Sequence, residues 1–325
     1  MLSLLFPAMV FFTMVETSGG LVLGPETNIP KLKDFQPLPE SDTGFSEIIA
    51  RFVRESGLDE RTPPEQNPDE HEEWSSICVV DLSNKENPRV GGWEEKNFVY
   101  PASAYKLYVL GEAIRQVTEG ERSLEDPVVV KEHNVRSHSR LSPGQATTLS
   151  EVLRLMMMYS DNTAANEAID VVDRRRASGL LRAMGCRGSD ITRKFLSRTL
   201  EDDGYSTVPG TTSSALHFAT FLWAVETGAI GGGRGRGLIK GYMSFTATGK
   251  RRITAGVPES ATVYHKTGTW NTFTSDVALV EDGDVKYIIC ILTALRSEKV
   301  EPRIGSFTQK LHEYLSLRKK SKSNQ

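Results

Sequence analysis

Two β-rich runs near the end of the chain are joined by an acidic turn, and together they read SDVALV-EDGD-VKYIICIL over residues 275–292. Apolar runs of this length around an Asp-Gly pair are typical of a β-hairpin. A third strand-like run lies just before them at residues 262–266, and a fourth lies near the other end of the chain at residues 76–82. We therefore predict one antiparallel sheet that takes strands from both ends of the chain.

Between the two groups of strands the apolar spacing becomes helical. The clearest helical patterns lie at residues 104–116, 149–159, 163–172 and 212–225. Amphipathic segments at residues 44–56 and 302–317 adjoin the strand groups on their outer sides. This order predicts a helical lobe in the middle of the chain, terminal helices on one face of the sheet, and a cleft between the lobes where a site would lie.

The composition is that of an ordinary globular protein with a large core. The chain has 325 residues, a formal net charge of −3 and 25% charged residues. Because there is no excess of basic residues, nucleic acid is not expected as a partner. Three cysteines in so long a chain do not form a disulfide framework. Cys78 and Cys290 both lie in predicted strands, and a bond between them is possible in an oxidising compartment but is not predicted.

The two ends of the chain differ from its body. The first residues form an apolar run at positions 2–15, with no Lys or Arg before it. This run is shorter than the about 20 residues of a membrane-spanning helix, so residues 1–20 are predicted to be the signal peptide of a secreted or periplasmic protein. An uncleaved anchor and a misassigned start codon are the alternatives. Proline-rich residues 21–43 predict a linker, and the basic residues 319–325 predict a solvated tail.

Three short motifs bring hydroxyl, amine and amide side chains together. They are Ser103-Ala104-Tyr105-Lys106, Ser160-Asp161-Asn162 and Lys266-Thr267-Gly268. In the first motif Ser and Lys three residues apart share a helical face, so the amine can reach the hydroxyl. The helix N-terminus favours negative charge developing at the serine. Taken alone, each motif has an ordinary reading, such as a helix cap or an edge-strand lysine.

Taken together and in this order, the three motifs resemble the signature set of class A β-lactamases and penicillin-binding proteins. The Lys-Thr-Gly-Thr extension at residues 266–269 and the segments 251–269 and 275–280 look most like class A. The resemblance covers roughly residues 44–317. It implies an α+β fold with a five-stranded antiparallel sheet, flanking helices and an all-helical lobe. The expected catalytic domain is 44–318, with a sheet lobe at 44–100 and 255–318 and a helical lobe at 101–254.

The resemblance also implies a role for each matched residue. Ser103 would be the acylated nucleophile, Lys106 would help remove its proton, and Ser160 would relay a proton to the leaving nitrogen. For this Lys106 must be a neutral amine, and burial together with the like charge of Lys266 would lower its pKa. Asp161 would be structural, and backbone N–H groups of Ser103 and Thr269 would form the oxyanion hole. The expected substrate-binding residues are Asn162, Lys266, Thr267, Gly268, Thr269 and Arg252. For Arg252 a surface position is an equal alternative.

One part of the family pattern is missing. Class A enzymes release the acyl group with a Glu in an E-x-x-L-N segment, and at the corresponding place this chain has Phe195 or a neighbour. Glu201, Asp202 and Asp203 are nearby acids, of which Glu201 is the candidate base; an exposed turn is the alternative reading. With a base the enzyme would hydrolyse β-lactams. Without one it would be a D,D-peptidase or penicillin-binding protein that deacylates slowly, and a non-catalytic penicilloyl receptor is a third alternative.

Other features predict no further chemistry. The six histidines are scattered and none forms a metal-binding motif, so we expect no metal and no cofactor. The glycine-rich run at 231–237 follows a predicted helix and is expected to be a flexible loop. The expected partner is a small-molecule β-lactam or a D-Ala-D-Ala-like peptide, bound by a monomer without a membrane span.

Overall fold

One five-stranded antiparallel sheet forms the centre of the protein, with the strand order β2-β1-β7-β6-β5. The computed structural model describes residues 29–61, 74–84, 86–244 and 249–323, so the predicted signal peptide lies outside the described residues. The strands are β1 (Ser75–Asp81), β2 (Arg89–Trp93), β5 (Thr262–Trp270), β6 (Phe273–Asp282) and β7 (Val285–Thr293). A separate two-stranded sheet pairs β3 (Pro127–Val129) with β4 (Ala146–Thr148).

The sheet takes its strands from both ends of the chain, as the sequence predicts. β1 pairs with β7 in the middle of the sheet, and Cys78 lies opposite Cys290 in this register. Both thiols are free and buried. The β6–β7 hairpin closes at the expected acidic turn, where Gly283 has a positive φ of 56°. β5 is left as an edge strand, so one side of it is open to the cleft.

Helices cover both faces of the sheet. The helices are α1 (Thr43–Ser56), α2 (Lys106–Thr118), α3 (Leu149–Met158), α4 (Asn162–Val172), α5 (Arg174–Ala183), α6 (Ala215–Thr227), α7 (Gly232–Ser244) and α8 (Ser297–Ser323). The terminal helices α1 and α8 form one core with the sheet through residues such as Phe45, Tyr287 and Phe307. The helices between them form a second core on the opposite face, where Tyr108 and Phe218 stack. The predicted fold class is therefore confirmed.

The last helix is longer at both ends than the apolar pattern predicts. It begins at Ser297, before Pro302, and it continues beyond Leu317 to Ser323. The continuation is held by two contacts with the β1–β2 region: Arg318 forms an ion pair of 2.9 Å with Asp81, and Lys319 donates a hydrogen bond to a backbone carbonyl. The stretch expected as a solvated tail is therefore helical as far as Ser323, and Lys319 at its start has a partner in the segment that follows β1.

The described part of the predicted linker lies against the helical lobe. The indole Nε1 of Trp223 on α6 donates a hydrogen bond of 2.8 Å to the carbonyl of Gln36. Leu32, Phe35 and Leu38 are partly buried against the same core. Along the described stretches of the chain, no helix is long and apolar enough to cross a membrane.

The glycine-rich run was expected to be a flexible loop, and this prediction is wrong. Helix α7 begins at Gly232 and contains most of the run, although each glycine in a helix interior costs about 1 kcal/mol relative to alanine. The helix forms because it packs against α2 and β5. At Gly235 the close packing needs glycine, since a Cβ there would lie 2.2 Å from the carbonyl oxygen of Ile230.

Two substitutions in α7 are expected to change stability in opposite directions. Gly237 is exposed and a Cβ there would meet no atom within 4 Å, so Gly237→Ala should raise the free energy of unfolding by about 1 kcal/mol. Gly235→Ala makes the same chemical change at the crowded position and should lower it. Urea denaturation of both variants measures the difference. Equal effects of the two changes would contradict the packing described for Gly235.

Candidate active site

Ser103 lies at the entrance to helix α2, between the two lobes. A short 3₁₀ turn at Ala102–Tyr105 leads directly into α2, so Ser103 is placed one turn before the first residues of the helix. Ala102 has a positive φ of 46°, a strained conformation for a residue with a side chain. Ser103 is half-buried, whereas its neighbours Ala104 and Tyr105 are fully buried. This strained turn presents one hydroxyl to the cleft.

Lys106 is buried beneath the cleft and reaches the second motif. Its Nζ donates hydrogen bonds to the backbone oxygen of Ser160 at 2.5 Å, to Ser160 Oγ at 3.2 Å and to Asn162 Oδ1 at 2.6 Å. Lys266 approaches the same hydroxyl from β5, with its Nζ 3.0 Å from Ser160 Oγ. The Ser160 hydroxyl is therefore flanked by two amines. A hydroxyl so placed can take a proton from one side and give one to the other.

Both lysines are fully buried, and this changes their basicity. Burial, with a smaller contribution from the charge of Lys266, holds the pKa of Lys106 well below its ordinary value. Burial likewise lowers the pKa of Lys266 to about 7. A lysine with a lowered pKa can act as a neutral base near neutrality.

Asp161 and Asn162 have different surroundings although they are adjacent. Asp161 is buried, caps helix α4 by accepting from Ala164 N, and accepts a further hydrogen bond of 2.8 Å from Arg140 N. Its carboxylate is therefore used within the fold. Asn162 is exposed, and its Oδ1 is held by Lys106. This contact orients the side-chain amide, so that its N–H₂ group can donate to a molecule in the cleft.

The Lys266-Thr267-Gly268 motif brings the edge of β5 against the turn that carries Ser103. Lys266 and Gly268 lie two residues apart on one face of the strand. A Cβ on Gly268 would lie 2.3 Å from Pro101 O and 2.9 Å from Ser103 N, so only glycine allows the two segments to approach this closely. Ser275 Oγ also donates to Pro101 O, at 2.7 Å, which ties β6 to the same turn. The structure thus brings the first and third motifs together.

Gly268→Ala is expected to slow any reaction at Ser103 by about 100-fold, because the added methyl group must displace the strand or the turn that carries Ser103 by roughly 1 Å. The measurement is the rate of covalent labelling of Ser103 by an acylating agent. Gly237→Ala is the control, since it makes the same change where there is open space. A Gly268→Ala variant that is labelled at the unmodified rate would contradict the close approach.

An aromatic ring lies where the family pattern would place a general base. Phe195 stacks on Tyr105 with ring centroids 4.6 Å apart, and Lys106 Nζ is 4.2 Å from the centre of the Phe195 ring. Asn166 Oδ1 accepts a hydrogen bond of 2.8 Å from Phe195 N and fixes this position. No carboxylate in the described part of the chain forms a hydrogen bond or an ion pair with Lys106.

Glu201, the acid named as the candidate base, is buried in a different set of contacts. One of its oxygens accepts from Arg174 Nη2 at 2.9 Å, and the other accepts from Lys194 N at 3.0 Å. Arg193 is also within ion-pair distance, at 3.6 Å. Both oxygens of this carboxylate therefore already accept hydrogen bonds within the fold. These contacts suit a residue that anchors the loop carrying Phe195, and they do not suit the base that the sequence suggested.

The neighbouring acids are likewise outside the cleft chemistry. Asp202 forms ion pairs with Lys194 and Arg174, and the buried Lys194 also pairs with Asp170 on α4 at 2.5 Å. Asp203 lies in an exposed turn. No sequence pattern indicates this network, because its members come from α4, α5 and the loop after them and meet only in the folded chain. Asn166 and Tyr105, which position Phe195, were missed for the same reason.

The remaining predicted residues lie on or near β5. Thr267 is half-buried, and Thr269 and Trp270 are exposed at the end of the strand. Arg252 is 6% exposed, and its guanidinium contacts Thr269 near the end of β5. The surface alternative for Arg252 is therefore wrong.

The comparisons with known proteins agree on one family. A model of the beta-lactamase enzyme family matches residues 68–315. The β-lactamase of Bacillus amyloliquefaciens is 26% identical over 225 residues, which are 67% of this chain and 71% of that protein. Beta-lactamase 1 of Streptomyces cacaoi is 32% identical over 165 residues, so the matched segment spans only 48% of this chain and 49% of that protein.

Solved structures share the fold at low sequence identity. The structure of PBP-A superposes with a TM-score of 0.70 at 19% identity, covering 86% of this chain and 99% of that chain. A PBP-A mutant, solved as an acyl-enzyme complex with penicillin G, gives a TM-score of 0.69 at 19% identity and covers 88% of this chain and 99% of its own. The β-lactamase from Sphaerobacter thermophilus gives 0.69 at 20% identity, with 83% and 97% covered.

Proposed function

The chain belongs to the beta-lactamase enzyme family and is a serine hydrolase of that type, and we propose that it forms a long-lived acyl-enzyme with β-lactams. In this proposal Ser103 is the nucleophile and the natural acyl donor is a D-Ala-D-Ala-like peptide. The observation that carries the slow release is the ring of Phe195, which lies 4.2 Å from Lys106 Nζ where a carboxylate base would be needed. The penicillin G acyl-enzyme solved for the PBP-A mutant supports the same chemistry on this fold.

Acylation uses the contacts around Ser160. Ser103 Oγ attacks the amide carbonyl of the substrate, and its proton passes to the neutral amine of Lys106. The negative oxygen that forms is stabilised by the backbone N–H groups of Ser103 and Thr269. The C–N bond then breaks, and the leaving nitrogen receives a proton through Ser160, which contacts both Lys106 and Lys266. The products are an ester on Ser103 and a neutral amine, which stays attached when the amide is part of a ring.

Binding of the substrate uses the opposite side of the cleft. Lys266 in its charged form and the hydroxyl of Thr267 would hold the substrate carboxylate, and Asn162 would donate to the substrate amide. The Lys266 pKa of about 7 describes the protein without a bound anion. A carboxylate beside this amine favours the charged form and raises that pKa, so binding and charging of Lys266 support each other.

Hydrolysis of the ester is the step that the site supports poorly. A water molecule must lose a proton as it attacks the ester, and a positioned base contributes about 10²- to 10⁴-fold to such a step. Lys106 is next to the apolar ring of Phe195, and Glu201 is held by Arg174. The acyl-enzyme should therefore persist after the substrate has been removed.

Intact-mass spectrometry with benzylpenicillin tests this proposal. We expect one penicilloyl adduct on the wild-type protein, absent from Ser103→Ala, which serves as the blank. After removal of free penicillin the adduct should decay more slowly than about 0.1 s⁻¹, since a typical turnover number of about 10 s⁻¹ is reduced at least 10²-fold without a base. No adduct and no turnover would disprove acylation at Ser103. Rapid sustained turnover would show an efficient β-lactamase and contradict slow release.

A further inference from the structure

Arg252 lies at the start of a strained turn, with its guanidinium near the adjoining ends of β5 and β6. It begins a short 3₁₀ turn, Arg252–Ala255, with a positive φ of 54°. This turn packs against helix α8, from which Glu301 approaches the guanidinium at 2.9 Å. The guanidinium contacts residues near the adjoining ends of β5 and β6. Both the strained backbone and the burial indicate that the position of this guanidinium is fixed.

Every N–H group of the guanidinium already has an acceptor within the protein. Nη1 donates to Gly268 O at 3.0 Å and to Ser275 O at 2.8 Å. Nη2 donates to Thr269 Oγ1 at 2.6 Å and to Glu301 Oε1 at 2.9 Å, and Nε donates to Glu301 Oε1 at 3.1 Å. A guanidinium has five N–H donors, and all five are used. None remains to bind the carboxylate of a substrate directly.

The acceptors of Arg252 lie on the peptide that faces the nucleophile. Gly268 O and Thr269 N–H belong to one planar trans peptide, in which the carbonyl and the N–H point in opposite directions. Gly268 pairs with Ser275 of β6, and Arg252 Nη1 contacts the carbonyl oxygens of both residues, so Gly268 O faces β6. The Thr269 N–H therefore points the other way, towards the open edge of β5. Arg252 also donates a hydrogen bond to Thr269 Oγ1, so it holds the residues on both sides of this peptide bond.

We propose that Arg252 is a positioning residue that aims the Thr269 N–H at the oxyanion and does not bind the substrate carboxylate. This inference rests on the proposed acylation of Ser103. In this role Arg252 supports the transition state of acylation for every acyl donor, whether or not the donor carries a carboxylate. A misplacement of about 1 Å at a reacting centre can cost about 100-fold in rate, so loss of the clamp should be clearly measurable.

The test compares two arginines that share one partner. Arg251 is 64% exposed and pairs with Glu301 at 2.8 Å, as Arg252 does, but its guanidinium has no hydrogen bond to β5 in the part of the chain that the structure describes. Arg252→Met and Arg251→Met are each treated with benzylpenicillin and with its methyl ester, which lacks the carboxylate. We expect Arg252→Met to slow acylation about 100-fold with both compounds, leaving the ratio of the two rates unchanged. Arg251→Met should have little effect.

A different pattern would overturn the inference. A loss confined to benzylpenicillin would show that Arg252 recognises the carboxylate, and no loss with either compound would show that it does not position the oxyanion donor. Arg252→Lys keeps the charge but lacks the planar fork of donors, so we expect it to remain slow. Full recovery by lysine would mean that charge alone matters. Thermal unfolding of each variant separates these effects from loss of the fold.

The inference can also be judged without activity. In a ¹H–¹⁵N NMR spectrum the Thr269 amide resonance should move in Arg252→Met and stay in place in Arg251→Met. If the wild-type protein formed no adduct with either compound, the proposed function would fail. The Thr269 resonance would then still decide whether Arg252 holds this peptide, and an unmoved resonance in Arg252→Met would disprove it.

Discussion

Phe195→Glu is expected to accelerate release of the acyl group from Ser103 by about 10²- to 10⁴-fold, the contribution of a positioned general base. The ring of Phe195 stacks on Tyr105 and lies 4.2 Å from Lys106 Nζ, so a carboxylate of similar reach would lie beside Lys106. The backbone is already fixed there by the hydrogen bond from Phe195 N to Asn166. The decay of the penicilloyl adduct in stopped-flow or intact-mass experiments gives the rate.

The control for this substitution is Phe195→Gln. Glutamine is a polar side chain of the same size as glutamate, but it cannot accept a proton from water at neutral pH. Only the Glu variant should gain turnover, and its rate should fall as the pH drops below the pKa of the new carboxyl group. A negative charge near Lys106 also raises the pKa of that amine, so acylation should become somewhat slower. Equal acceleration in both variants would show that removal of the ring, and not a base, controls release.

Lys106→Met is expected to slow acylation of Ser103 by about 10²- to 10⁴-fold, because in the proposed mechanism Lys106 is the base that receives the hydroxyl proton. In the wild-type protein the neutral fraction of Lys106 grows as the pH rises through its pKa. Burial holds that pKa well below the ordinary value, so the rate of acylation should rise with pH and level off below the range of an exposed lysine. Rates of adduct formation are measured across the pH range in Lys106→Met and in the wild type, and the comparison shows whether this rise depends on Lys106.

Lys106→Arg separates basicity from charge. Arginine keeps the positive charge beside Ser160 but is not deprotonated in proteins, so it should be about as slow as methionine if Lys106 acts as a base. An arginine variant with nearly wild-type acylation would show that the charge alone supports the reaction. Thermal unfolding is needed beside these rates, because Met also removes three hydrogen bonds to Ser160 and Asn162.

The sequence predicted those parts of the site that depend on short spacing. Ser103 and Lys106 lie on one turn, and the other two motifs lie at the ends of predicted elements, so their types and positions could be read directly. The structure brings Ser160 between Lys106 and Lys266. What could not be predicted depends on contacts between distant segments: the ion pair that binds Glu201 to Arg174 crosses from a loop to helix α5. No periodicity reports such a pair.

The fold was predictable for a similar reason, and its errors have physical causes. Apolar runs identify strands at both ends of the chain, and the five-stranded sheet that the family resemblance implied is confirmed. Helix limits depend on tertiary contacts that the pattern does not contain. Arg318 extends α8 through its ion pair with Asp81, and α7 forms through packing despite its glycines. Helix propensity alone therefore places the end of α8 too early and predicts a loop in place of α7.

The pairing of β1 with β7 also determines when the protein can fold. Its paired residues, such as Asp81 and Tyr287, are about 200 residues apart in sequence, and contacts of such separation slow folding. At about 5–20 residues per second, a ribosome needs about 10–40 s to synthesise the intervening chain. Throughout this time β1 has only β2 beside it, and its other edge is open to foreign strands. The central position of β1 makes the nascent chain dependent on protection until its last strand has been made.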